Sequence, residues 1–157
     1  MEPRMQYHKY SLDALKPMLA LERHLAASSL GEKLLNLIKL RASQINGCAY
    51  CIDMHWKDAR VLGETEQRLY GLDAWRESPY YTSRERAALE WTEAVTLVAQ
   101  THVPDEVFEA SKKEFSEQEL VDLTYAVAAI NSWNRLAISM RAAPGLYQPQ
   151  QKKATVA

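Results

Sequence analysis

Apolar residues recur three and four positions apart along almost the whole chain, and no stretch shows convincing period-two alternation. That spacing lines one face of an α-helix and leaves no half-buried strand, so the chain is expected to fold all-α. The 5 glycines fall mostly between the periodic segments. With 157 residues the chain suits one domain. A domain of this size buries about two thirds of the surface its unfolded chain exposes, so it needs no cross-link to hold together.

The pattern predicts a first helix over residues 11–28, with Leu12, Leu15, Leu19 and Leu25 on one face and Pro17 as a point of breakage or bending. A second runs over 32–45 with Leu34, Leu37, Ile38 and Arg41 on successive turns. Asn46-Gly47 then punctuates the chain. A third runs from Cys48 to Leu62 and stops at Gly63, with a short helix over 64–71. Trp75 to Tyr81, containing Pro79, reads as a loop. Thr82 with Glu85 and Ser116 with Glu119 have the spacing of capping boxes. They open helices to about Gln100 and to Met140, and between them Pro104 reads as the first residue of a helix reaching Glu114. The last pattern is the longest and is assigned both to the core and to a subunit contact, with Ala126, Ala128 and Ala129 allowing close approach. Residues 1–146 form the domain, and 147–157 read as a polar, frayed tail.

The formal net charge is −1, from 19 basic and 20 acidic residues. No basic excess marks a nucleic-acid or anionic-membrane partner. No apolar run reaches the length needed to span a bilayer, and the N-terminal residues lack the apolar segment of a secretory signal. The expected compartment is the cytoplasm, where two cysteines two residues apart are more often catalytic or metal-binding than a structural staple.

Those cysteines are Cys48 and Cys51, with His55 one turn further on. At the start of a helix the three side chains share a face, each within about 5–6 Å of the next at Cβ. The first turn's free N–H groups favour a thiolate, and an ordinary thiol needs that help at neutral pH. His55 is placed to take a proton from Cys51 and return it. Two thiols one turn apart can also close a disulfide, which completes a redox cycle. A zinc site is the rival: Cys48, Cys51 and His55 supply three ligands, but His8, His24 and His102 show no paired spacing for a fourth. Haem attachment needs His directly after the second cysteine, where Ile52 stands, and no βαβ pattern suggests a thioredoxin-like motif.

Residues 37–55, Leu37 through His55 with Asn46-Gly47-Cys48 and Cys51 at their centre, resemble the core of the AhpD-like proteins of the carboxymuconolactone decarboxylase superfamily. The similarity continues through 63–69, 74–77 and 84–89. The resemblance implies packed helical hairpins with the Cys-x-x-Cys at a helix start, assembled as a trimer, hexamer or similar homo-oligomer. It implies alkylhydroperoxidase-type peroxidase activity, or reduction of a disulfide, without metal or organic cofactor. Cys51 would be the peroxidatic cysteine, Cys48 the resolving one that meets a protein or small-thiol reductant, and His55 the proton relay. The family's relay glutamate falls at Asn36, an amide that can hold His55 but cannot take its proton. Glu32, one turn earlier, is either a substitute carboxylate or a solvated first-turn residue. Tyr50 stands where one well-studied family type has histidine. A lactone decarboxylase-like lyase on the same fold, and a zinc-stabilised or redox-sensing module, are the alternatives.

Elsewhere Trp56, Trp75, Trp91 and Trp133 read as core or interface, and Arg41 and Arg135, inside apolar helices, as cations with a carboxylate or carbonyl partner. Asp53 reads as helix surface, and Glu90 and Glu93 as carboxylates able to reach a site.

Overall fold

The computed structural model describes residues 2–149. Among them are eight α-helices, two 3₁₀ turns (Tyr7–Lys9 and Leu72–Ala74) and no strand. The helices are α1 (Leu12–Ala26), α2 (Glu32–Asn46), α3 (Ala49–Val61), α4 (Glu66–Tyr70), α5 (Ser83–Thr96), α6 (Val98–Thr101), α7 (Asp105–Lys112) and α8 (Glu117–Met140). Both capping boxes form: the Thr82 and Ser116 hydroxyls each accept the N–H three residues on, and Glu85 and Glu119 reach back to the cap N–H.

The centre of the bundle is α2, which packs on α3, α5 and α8. Its sequence serves two cores at once. Leu34, Leu35 and Ile38 enter a cluster with Leu25, Ala88, Trp91, Leu123 and Val127. Leu37 and Leu40 enter a second with Leu69, Leu72, Trp75 and Leu89. A helix buried on most of its circumference needs apolar residues all round, and that explains the crowded pattern between Leu34 and Leu40.

Four expectations change. Helix α1 runs unbroken through Pro17, which lies on an exposed side; Leu12 and Leu19 are also exposed, and only Leu25 of the expected stripe is buried. The helix after Thr82 ends at Thr96, and a separate turn, α6, follows Leu97. Pro104 precedes α7 as its N-cap rather than opening it, because its backbone is extended at ψ 148°, and α7 stops at Lys112. Of the expected tail, residues 150–157 lie outside the described residues, while Tyr147 and Gln148 line a cavity described below.

A ladder of side-chain amides joins α2 to α8. Asn46 Nδ2 donates to Asn131 Oδ1 at 3.0 Å and to Asn134 Oδ1 at 2.8 Å. Asn134 Nδ2 donates to Ser43 Oγ at 3.1 Å, and Ser43 Oγ to the Lys39 carbonyl at 2.7 Å. Ser43 and Asn134 are both fully buried, so each bond lost leaves a partner stranded away from water. Asn134→Ala is expected to lower the stability by about 1–3 kcal/mol in chemical denaturation. A loss below a few tenths would show that the ladder does not hold the two helices together.

Candidate functional site

The dithiol sits where two helix ends meet. Gly47 adopts φ +68°, which a Cβ would strain. In that geometry the Cys48 N–H bonds the Ser43 carbonyl at 3.0 Å and the Gly47 N–H bonds that of Gln44 at 3.1 Å. This pattern closes α2 as a Schellman motif. The next residue, Cys48, is already the N-cap of α3, and its sulfur accepts the Cys51 N–H at 3.4 Å. A sulfur in a cap's place feels the positive end of the helix, which favours its thiolate once it is reduced.

Cys48 and Cys51 are joined by a disulfide, with Cα atoms 5.3 Å apart. Both are buried, at 1% and 2% exposure, and both pack against Ala137 of α8. They differ in what they face. Cys51 and His55 line a cavity of about 620 Å³, together with Asn36, Lys39, Tyr50 and Trp133; Cys48 is not part of its wall.

His55 is held from α2. Asn36 Nδ2 donates to the Glu32 carbonyl at 3.0 Å, which turns Asn36 Oδ1 toward the ring, 3.1 Å from His55 Nδ1. Because Asn36 Oδ1 only accepts, the assigned tautomer carries its proton on Nδ1 and its lone pair on Nε2. Among the described residues Nε2 has no hydrogen-bond partner, although it is buried. Burial, and then the nearby Lys39 ammonium, push the His55 pKa down to about 3. The ring is therefore uncharged at neutral pH. A Cys51 thiolate one turn away would favour the imidazolium instead, as an opposite charge does.

Lys39 was not singled out from sequence, although its place inside an apolar run is a signal. It is buried, and its Nζ donates to Glu22 Oε2 at 2.5 Å. Glu22 Oε1 accepts from Trp133 Nε1 at 2.9 Å, so Trp133 belongs to this wall and not only to the core. Tyr7 and Tyr147 also line the cavity, and they come from chain ends without periodicity, where no sequence signal existed. Glu32 lines it as well, one turn before Asn36, but His55 Nδ1 bonds Asn36.

Other candidates go elsewhere. Glu93 accepts from Arg41 Nε and Trp75 Nε1, both at 2.8 Å, and from Arg76, and Glu90 lies 3.7 Å from Arg76; neither is in the cavity wall. Arg41 thus has the carboxylate partner expected of it, and Arg135 donates to the Asn131 carbonyl at 2.8 Å. Asp53 is not simple helix surface: its carboxylate accepts from Lys57 at 2.9 Å and from the Gly145 N–H at 3.0 Å. Among the described residues no group of three or more His, Cys, Asp or Glu is arranged to hold a metal ion, and no helix is long and apolar enough to cross a membrane.

The sequence model of the carboxymuconolactone decarboxylase family matches residues 13–94, which include Asn36, Cys48, Cys51 and His55. The chain belongs to this family. Within it the chain is AhpD-like: it is 46% identical to ATU0492 of Agrobacterium tumefaciens, a protein of unknown function described with the antioxidant defence protein AhpD. The two structures superpose with a TM-score of 0.89 over 93% of this chain and all of that one. The uncharacterized protein YdfG of Bacillus subtilis strain 168 is 44% identical over 140 residues, 89% of this chain and 95% of its own length. The debrominase Bmp8, solved in complex with 2,3,4-tribromopyrrole, shares the fold at a TM-score of 0.74 and 19% identity, over 87% of this chain and 73% of that one. The debrominase shares the fold alone, and a shared fold does not fix the chemistry of this site.

Neutral burial of His55 has a measurable consequence. The unfolded chain takes up a proton on His55 near pH 6.5, the native chain only near 3. Between those values the unfolded state holds more protons, so stability falls as pH falls, by up to about 1.4 kcal/mol per pH unit. His55→Gln should flatten that slope in denaturation curves from pH 6.5 to 4. Equal slopes in the two proteins would contradict a neutral, buried His55.

Proposed function

We propose that this AhpD-like protein is a thiol-dependent peroxidase of organic hydroperoxides, or a reductase of small disulfides, working through Cys51, Cys48 and His55. The observation that carries this reading is the Cys48–Cys51 disulfide at the N-terminus of α3, with Cys51 and an uncharged His55 sharing one cavity wall. A structural staple has no need of a partnerless imidazole beside it, and a core histidine would have both nitrogens satisfied.

The cycle starts from the dithiol. His55 Nε2 takes the proton of the Cys51 thiol, and the thiolate attacks one peroxide oxygen. The O–O bond breaks, an S–O bond forms, and the departing alkoxide leaves as alcohol with the proton from His55. Cys51 is now a sulfenic acid. The Cys48 thiolate, favoured by its N-cap position, attacks the Cys51 sulfur; the S–O bond breaks as the S–S bond forms, and the hydroxide leaves as water with the proton that the Cys48 thiol gave up. An external dithiol, or two small thiols, then reduces the disulfide by exchange and ends oxidised itself. The peroxide gains two electrons and the external thiols lose them. No step calls on a metal or organic cofactor. A disulfide substrate enters the same cycle at the first attack, with a thiolate as the leaving group.

The resemblance to AhpD-like proteins supports a homo-oligomer, and a reducing cytoplasm would supply the thiols. The outward stripe of α8 offers an apolar contact at Val121 and Tyr125, each about half exposed in the single chain (50% and 54%).

With a dithiol reductant and an organic hydroperoxide, Cys51→Ser should abolish consumption. Cys48→Ser should turn over once and stop at the sulfenate, and His55→Gln should slow oxidation about 100-fold. Activity retained in the protein lacking both cysteines would point to the lyase alternative.

A further inference from the structure

The part of the chain that the family's sequence model does not match contributes part of the cavity wall. Residues 13–94 supply Asn36, Cys51 and His55, whereas Tyr7, Trp133, Ala137, Tyr147 and Gln148 lie outside that range. Most of the wall thus comes from the same stretch as the sulfurs and His55, and the segments outside it complete the cavity.

The C-terminal wall is fastened to the catalytic helix itself. Beyond α8 the chain turns at Arg141, where φ is +53° and the Ala142 N–H bonds the Ala137 carbonyl at 2.9 Å. It then runs back over α3. The Gly145 N–H donates to Asp53, and Lys57 Nζ donates to the carbonyls of Gly145 at 3.4 Å and Tyr147 at 3.1 Å. The Tyr147 hydroxyl donates to Asp58 Oδ1 at 2.7 Å. Asp53, Lys57 and Asp58 thus hold a strap along α3, from about half a turn to two turns past Cys51. Tyr147 is the residue of that strap whose ring both lines the cavity and is anchored at its far end. Its neighbour Leu146 is 82% exposed and takes no part in the wall.

We propose that Tyr147 is a specificity-determining residue: clasped to α3 through Asp58, it narrows the route to Cys51 and sets the bulk of the group that can reach that sulfur. The cavity, at about 620 Å³, is large enough for an organic molecule of moderate size. The strap then decides how bulky a hydroperoxide or disulfide is admitted. Tyr147 acts on access and leaves Asn36, His55 and the sulfurs untouched, so the rate with a small reagent is independent of it. The proposal rests on Cys51 as the attacking thiol.

Alkylation of the reduced full-length protein tests it without any peroxide. The rate at Cys51 is followed by peptide mass spectrometry with iodoacetamide as the small reagent and N-benzylmaleimide as the bulky one. Tyr147→Ala should raise the ratio of bulky to small rates about tenfold, the scale on which a shaped pocket discriminates steric bulk. Leu146→Ala should leave the ratio unchanged. A ratio unmoved by Tyr147→Ala, or moved equally by Leu146→Ala, would overturn the proposal. Failure of the peroxidase reading would look different: hydroperoxide would go unconsumed by the wild-type protein while the alkylation ratio still responded to Tyr147.

Discussion

Asn46 donates to both Asn131 and Asn134, and that pair of hydrogen bonds fixes the last turn of α2 against α8. The turn that follows has no freedom left. Gly47 takes the left-handed conformation, Cys48 becomes the N-cap of α3, and Cys51 and His55 come out on one face of the new helix. Ala137, one turn beyond Asn134 on α8, closes over both sulfurs. The position of the dithiol therefore follows from a buried amide contact between α2 and α8. Such networks hold geometry well only when every member is satisfied, and here the donors run in sequence to Ser43 and the Lys39 carbonyl.

The same helix α2 sets the state of His55. A glutamate at position 36 would place a second ionisable group against the ring, whereas Asn36 places an oriented dipole. Its amide is turned by the Glu32 carbonyl, so the acceptor faces His55 and the proton stays on Nδ1. Burial and Lys39 then keep the ring uncharged. A carboxylate would store a proton; the amide fixes which nitrogen is the base. Asn36 thus holds His55 as an amide does, by orientation and not by exchange of a proton.

The helical class, the Asn-Gly break and both capping boxes were legible because each rests on local chemistry: a period, a left-handed glycine, a hydroxyl three residues before a glutamate. The Cys48–Cys51 pair and the shared wall of Cys51 and His55 were legible for the same reason, whereas Cys48, as the N-cap of α3, lies outside that wall. The rest of the cavity wall was not legible. Tyr7 and Tyr147 lie in segments without periodicity, and only tertiary contacts, such as those from Arg4 to the end of α8 and from Tyr147 to Asp58, bring them to the site. Glu93 read as a possible site residue because an acid in a helix carries no mark of its partner; in the fold it meets Arg41, Arg76 and Trp75. Pro17 was over-read, since on an exposed flank the missing N–H does not break the helix.

If Cys48 and Cys51 are the working dithiol, one hydroperoxide closes one disulfide between them. The direct test is a free-thiol count on the fully reduced protein before and after one equivalent of an organic hydroperoxide, with the alcohol product measured alongside. Both thiols should be lost and one equivalent of alcohol should appear. Consumption of the hydroperoxide with both thiols still free would contradict it.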